Sequence, residues 1–130
     1  GIDPAGRRVT VVGRSLVIGR PAALLLTRAD ATVTLCHRKT PDLAARCRAA
    51  DILLAAAGAP GLITPECVRP GQIVLDAGAT ALPDGTLRGD VTPAAAAIAA
   101  CTPVPGGIGS VTTALLLRHT VQAAEKSHHF

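Results

Sequence analysis

Residues 11–26 read VVGRSLVIGRPAALLL, and this stretch decides the fold. An apolar-and-threonine run, residues 9–12, ends at Gly13, and an Ala/Leu-rich run opens after Pro21. An unbroken β-branched run closing on glycine predicts a strand buried on both faces, the kind found in parallel sheets. Proline favours the first turn of a helix, where its missing N–H costs nothing, so the spacing predicts a helix over residues 22–28.

Working outward from that unit, the alternation repeats. Residues 31–36, ATVTLC, predict a second strand; Thr40, Pro41 and Asp42 then supply an N-cap, a first-turn proline and a first-turn acid for a helix over 43–50. A third strand at 52–56 closes at Gly58, Thr64-Pro65-Glu66 starts a short helical turn, and a fourth strand lies at 73–76. Pro83-Asp84-Gly85 is a turn suited to a small hairpin, and Thr92-Pro93 opens an Ala-rich helix. Residues 102–109 are too rich in Pro and Gly for anything but loop, and a final helix is expected over about 111–126. Strands spaced by helices imply an α/β fold: one domain across 1–130, with a Rossmann-like, doubly wound, mostly parallel sheet and helices on both faces.

Composition narrows the function classes. The longest apolar stretches, 52–57 and 94–101, fall well short of the roughly 18 residues a membrane span needs, so a soluble chain without a membrane partner is expected. The net charge of +4 rests on eleven Arg and two Lys. Such a balance suits nucleic acid, but a single aromatic residue leaves no stacking platform for single strands, and the basic residues are scattered; no nucleic-acid partner is expected. The four cysteines, at 36, 47, 67 and 101, form no C-x-x-C and read as buried free thiols of a cytoplasmic protein, with no metal site. The chain opens on Gly1 without a leader, which suggests a fragment or a processed chain, and no metal site is drawn from the tail Ser127-His128-His129-Phe130.

In doubly wound sheets, ligands sit beyond the carboxyl ends of the strands, and the first strand-to-helix turn takes the phosphates of a dinucleotide. Here that turn runs from Gly13 to Pro21 and lacks the G-x-G-x-x-G spacing. Gly13 allows a sharp turn and Gly19 a close approach, while the helix start attracts anions. A tight turn without a ligand fits the same residues. After the second strand, where NAD-binding domains place an acid for the ribose hydroxyl, stand Cys36-His37-Arg38-Lys39, with no carboxylate until Asp42. A guanidinium offers a 2′-phosphate paired, charge-assisted hydrogen bonds, so Arg38 with Arg14 points to NADP; a solvated basic loop is the alternative.

These stretches, with ADILLAAAGAP (50–60), RPGQIVLDAGA (69–79), LRGDV (87–91) and TPVPGGIGSVTTALLL (102–117), resemble the methylenetetrahydrofolate dehydrogenase/cyclohydrolase family, collinearly over essentially the whole chain. The resemblance implies a cofactor domain of an enzyme that oxidises 5,10-methylenetetrahydrofolate with NADP and hydrolyses the methenyl product, a homodimer working in one-carbon metabolism and purine biosynthesis. It further implies that Gly13, Arg14 and Ser15 hold the phosphates and adenosine ribose, that Arg38 meets the 2′-phosphate, and that Ala79 packs by its backbone on the cofactor. Pro105 and Gly109 would shape the wall where nicotinamide meets the folate ring.

The chain departs from the family pattern in three places. DAGAT at 76–80 replaces D-x-G-I-N, Ser110 stands where proline is usual, and Val111 where methionine is common. The resemblance also calls for a catalytic Tyr and Lys in an N-terminal domain. This chain has no Tyr, and its two lysines, Lys39 and Lys126, fall in the basic loop and the tail, so no catalytic residue is assigned within it. A catalytically silent, free-standing dinucleotide-binding module is the alternative function. Asp76 reads equally as a substrate-orienting group or a turn residue, and Asp90 as local turn structure. His37 lacks any catalytic partner, and His119 reads as surface.

The last helix carries Leu115, Leu116 and Leu117 in succession, which cannot share one stripe. Val111, Ala114, Leu115 and Val121 are expected to face the chain's own sheet. Leu116 and Ala123 would then face a covering partner: the N-terminal domain toward which the resemblance runs this helix, or a second copy.

Overall fold

The computed structural model describes residues 1–127; His128 and His129 of the tail lie outside them. In chain order the elements are β1 (Arg8–Val12), α1 (Gly19–Arg28), β2 (Thr32–Cys36), α2 (Leu43–Ala49), β3 (Ile52–Ala55), a 3-10 turn (Pro65–Cys67), β4 (Ile73–Asp76), β5 (Thr80–Ala81), β6 (Leu87–Arg88), α3 (Pro93–Ala96), β7 (Ala100–Cys101) and α4 (Ile108–Ser127). One parallel sheet has the order β2-β1-β3-β4-β7, and β5 pairs with β6 as a separate antiparallel hairpin. The chain runs outward from β1 to β2 and then returns to β3 on the other side. This reversal leaves a crevice at the carboxyl ends of β1 and β3.

Alternation along the strands feeds two apolar layers. Val9 and Val11 of β1 with Ile52 and Leu54 of β3 meet Ala22, Ala23 and Leu26 of α1 on one face. Val12, Leu53, Ala55 and Val74 pack on the other face with Cys47 of α2, Cys67, Val68 and Ala95 of α3. Polar groups in these layers are bonded: the Thr10 hydroxyl donates to the Arg46 carbonyl (3.1 Å), and the Gln72 amide donates to the carbonyls of Cys47 (2.7 Å) and Ala50 (3.0 Å). At the amino ends of the strands, Asp51 accepts from Arg8 (2.8 Å) and Arg69 (3.1 Å). The bonds from Arg8 hold the Asp51 carboxyl well below the usual carboxylate range.

Four sequence expectations are corrected. α1 begins at Gly19, because the Ser15 hydroxyl accepts from the N–H groups of Ile18 (3.1 Å) and Gly19 (3.4 Å) and starts the helix early, with Pro21 in its first turn. Thr40 does not cap α2. Its hydroxyl accepts instead from the His37 N–H (2.8 Å), and Asp42 takes the cap position with φ 52°. The Ala-rich helix is a single turn, after which Ala100–Cys101 joins β4 as a fifth strand, Ala100 N–H bonding to Gln72 O (3.0 Å). Finally, α4 starts at Ile108 rather than at 111, and none of its residues is buried. Val111, Leu115 and Val121 therefore do not face the sheet; they are 59%, 38% and 58% exposed, and Leu116 and Leu117 are each 65% exposed.

Candidate dinucleotide-binding site

The turn after β1 is built by chain-on-chain contact. Gly13 has φ 118°, a conformation that favours glycine, and a Cβ there would overlap the Ala56 carbonyl at the end of β3. A Cβ on Gly19 would overlap the Gly13 carbonyl. Both glycines thus serve the packing of the first turn against its own neighbours. The sharp turn expected at Gly13 is present, whereas the room expected at Gly19 for a ligand is taken by the Gly13 carbonyl. Together they seat the start of α1 on the end of β1. Ser15 is exposed and spends its oxygen lone pairs on the helix start, leaving its O–H free to donate outward.

Gly13 N–H bonds to Cys36 O (2.9 Å), which ties this turn to the end of β2. There, residues 37–40 form a tight turn: Thr40 N–H bonds to His37 O (2.8 Å), and Lys39 N–H to His37 Nδ1 (3.2 Å). His37 is half-buried and committed to this turn, whereas Arg38 and Lys39 are exposed. The ion pairs among the described residues involve only Arg8, Arg69 and Asp51, so Arg14 and Arg38 stand on adjoining turns with no anionic partner. Two guanidines free of ion pairs suit a phosphate dianion.

The same edge deepens into a cleft of about 860 Å³ between the start of α1, the loop after β4 and the loop from β7 into α4. That volume is typical of small-molecule sites. Its walls are apolar, with Val17, Ile18, Leu25, Leu87, Val104 and Ile108 prominent, and Ala79, Pro105 and Gly109 line it as well. The Val104–Pro105 peptide is cis. A Cβ on Gly109 would meet nothing, so this position borders open space. Gly13, Arg14, Ser15 and Arg38 lie outside the cleft lining and Ala79, Pro105 and Gly109 within it, so the seven residues singled out from the sequence divide between the turns after β1 and β2 and the cleft.

Two acids tie the cleft loops together. Asp76 is 3% exposed and accepts from the N–H groups of Gly78 (2.9 Å), Asp90 (3.0 Å) and Val91 (3.0 Å). Asp90, fully buried, accepts from Ala57 (2.6 Å), Gly58 (3.1 Å) and Ala59 (2.7 Å). Such bonds offset the large cost of burying a carboxylate. They require close backbone: a Cβ on Gly89 would overlap the Asp76 carboxylate, and one on Gly78 would crowd Asp90. Reading Asp90 as local turn structure, and Asp76 as either a substrate-orienting group or a turn residue, missed this clamp. The signal that was available is the pair of Asp–Gly contexts, DAG and GD, each glycine making room for a carboxylate.

Cys36, Cys47 and Cys67 are buried free thiols, and burial, with the neighbouring Cys67 and Cys36 adding to it, pushes the Cys47 thiol up to about 12. No group of His, Cys, Asp or Glu with metal-binding geometry occurs among the described residues, and none of their helices is long and apolar enough to cross a membrane.

Comparison with known proteins now decides the family. The model of the family described as "Tetrahydrofolate dehydrogenase/cyclohydrolase, NAD(P)-binding domain" matches residues 1–128. The chain belongs to this family. It is 60% identical over 126 residues to the bifunctional protein FolD 1 of Rhodococcus jostii, covering 95% of this chain and 42% of that protein. It is 57% identical over 125 residues to FolD of Chloroflexus aurantiacus, covering 95% and 44% respectively. Among solved structures, the methylenetetrahydrofolate dehydrogenase-cyclohydrolase of Trypanosoma brucei, complexed with NADP and an inhibitor, superposes with a TM-score of 0.87 at 43% identity, over 97% of this chain and 46% of that one. The FolD enzyme of Campylobacter jejuni gives a TM-score of 0.89 at 41% identity, over 96% and 45%. The chain therefore spans less than half the length of these relatives, and the part it matches carries the Rossmann-like fold.

Proposed function

We propose that this chain is the NADP-binding part of a bifunctional 5,10-methylenetetrahydrofolate dehydrogenase and 5,10-methenyltetrahydrofolate cyclohydrolase. The observation that carries the cofactor choice is the pair of exposed, unpaired guanidines, Arg14 and Arg38, on an edge with no acid over residues 31–41. Arg38 takes the 2′-phosphate with help from Arg14, and Gly13 and the Ser15 hydroxyl border the phosphates and the adenosine ribose. Ala79 meets the cofactor through its backbone, and Pro105 and Gly109 form the wall between the nicotinamide and the folate ring. When bound, NADP supplies a hydride acceptor. This chain's residues orient it and keep water off one side of the apolar cleft.

The tetrahydrofolate substrate requires a second wall and the catalytic Tyr and Lys, which fall outside this chain; α4 runs toward the domain that provides them. That domain, or a second copy in a homodimer, covers the exposed leucines. The protein works in the cytoplasm, in one-carbon supply to purine synthesis. Calorimetry of the chain with each cofactor tests the central point. NADP is expected to bind at least tenfold more tightly than NAD, the scale of one charge-assisted contact; equal affinities would overturn the cofactor assignment. Methylenetetrahydrofolate with NADP is expected to yield no methenyl absorbance above a blank with this chain alone.

A further inference from the structure

The cleft has one ionisable side chain among its lining residues, Asp76, and the remainder of its wall is aliphatic or small and uncharged. Asp76 accepts three N–H groups and is 3% exposed, so its charge is fixed in place and poorly screened by water. The three-bond clamp also prevents the carboxylate from turning away, because Gly78 and Gly89 close around the two acids. No Arg or Lys lines the cleft to neutralise it.

A nicotinamide ring is positively charged when oxidised and neutral when reduced. Resting on the NADP reading above, we propose that Asp76 is a specificity-determining residue that makes this cleft favour the cationic, oxidised ring over the neutral, reduced one. The starts of α1 and α4 also border the cleft, and their partial positive charges act in the opposite direction. At α1 the first N–H groups are already spent on the Ser15 hydroxyl and carbonyl, and at both termini the effect fades within a turn, whereas Asp76 carries a full charge inside the wall. Asp90 lies one hydrogen bond further back and is absent from the lining, so its influence is weaker and of the same sign.

The test is the ratio of affinities for NADP⁺ and NADPH, measured by calorimetry on the unmutated chain and on Asp76→Asn. Loss of shape in the loops would weaken both forms alike and leave the ratio unchanged, whereas loss of the charge lowers NADP⁺ relative to NADPH, by about tenfold. An unchanged ratio in a folded variant overturns the inference and leaves the NADP assignment standing. Absence of binding by either form to the unmutated chain overturns both. Asparagine keeps an acceptor for Gly78 and Asp90 but turns a donor toward Val91, so a second arm, needing no variant, covers the case in which it fails to fold. In that arm saturation-transfer NMR compares 1-methylnicotinamide, a cation, with neutral nicotinamide on the unmutated chain. Tighter binding of the cation is expected, and equal or weaker binding overturns the proposal.

Discussion

Arg14 and Arg38, at the β1–β2 end of the carboxyl edge, are exposed and unpaired, whereas Asp76 and Asp90, at the β4 end, are buried and take three backbone N–H groups each. The difference separates groups left free from groups spent on the fold. The arginines contribute nothing to the fold that would be missed on their removal, and their charge is free for a ligand. The acids hold three loops together, and only Asp76 also reaches the cleft. The largest expected effect is therefore on Asp90. Asp90→Ala orphans three N–H donors and should cost about 3 to 5 kcal/mol in urea unfolding. A loss under about 1 kcal/mol would show that water replaces the clamp without penalty, and the contrast between the two ends would collapse.

The complementary change is at the other end. Arg14→Ala with Arg38→Ala should leave the unfolding free energy within about 0.5 kcal/mol of the unmutated chain, since neither side chain has a partner to lose. The same double variant should bring the NADP-to-NAD affinity ratio close to one, a loss of at least tenfold, because the charge-assisted contacts that set the preference are removed. Calorimetry reads the second effect and urea titration the first. A large stability loss with unaltered discrimination would reverse the roles assigned to these arginines.

What the sequence made legible follows the same division. The parallel strands declared themselves because Val9, Val11, Leu53 and Leu54 sit in apolar runs whose two faces are both covered. The exposure of Arg14 and Arg38 was legible because a charged side chain on a turn stays in water unless it is paired. β7 was not, since Ala100 and Cys101 follow a run of alanines that favours helix, and only pairing with Ile73 and Val74 makes them a strand. The clamp was hidden for a related reason: Asp90 bonds to residues 31 to 33 positions away, and Asp76 to residues up to 15 away. Thr40 and Asp42 show the reverse failure, a local cap signal overridden by the need to close the turn at His37.

A third acid, Asp51, tests whether exposure changes the outcome. It is paired with Arg8 and Arg69 like a structural group, yet it lies at the open amino edge. Its folded-state carboxyl is held below its ordinary value, so its contribution to stability is present above the unfolded value of about 3.9 and is lost as pH falls through the folded one. Solvent screening keeps that contribution small. Urea midpoints of the chain and of Asp51→Asn should differ modestly at pH 7 and converge as the solution is acidified. A gap that widens toward acid would contradict the direction of the shift.

The smallest effect is expected on α4, where the division between spent and unspent groups recurs in apolar form. Leu26 of α1 packs on the sheet with Val9 and Val11, while Leu116 and Leu117 of α4 are each 65% exposed. Apolar area already in water contributes nothing when it is made polar, so Leu116→Gln with Leu117→Gln should change the stability of the monomeric chain by less than about 0.5 kcal/mol. Leu26→Ala should cost about 1 to 2 kcal/mol, because part of its surface is buried against the sheet. The glutamines should register in association instead. Exposed leucines on a 20-residue helix draw copies together at high concentration, and sedimentation should show that tendency weakened in the double variant. A loss of monomer stability matching that of Leu26→Ala would mean that α4 folds back onto the sheet in solution, removing the free apolar face assigned to a partner.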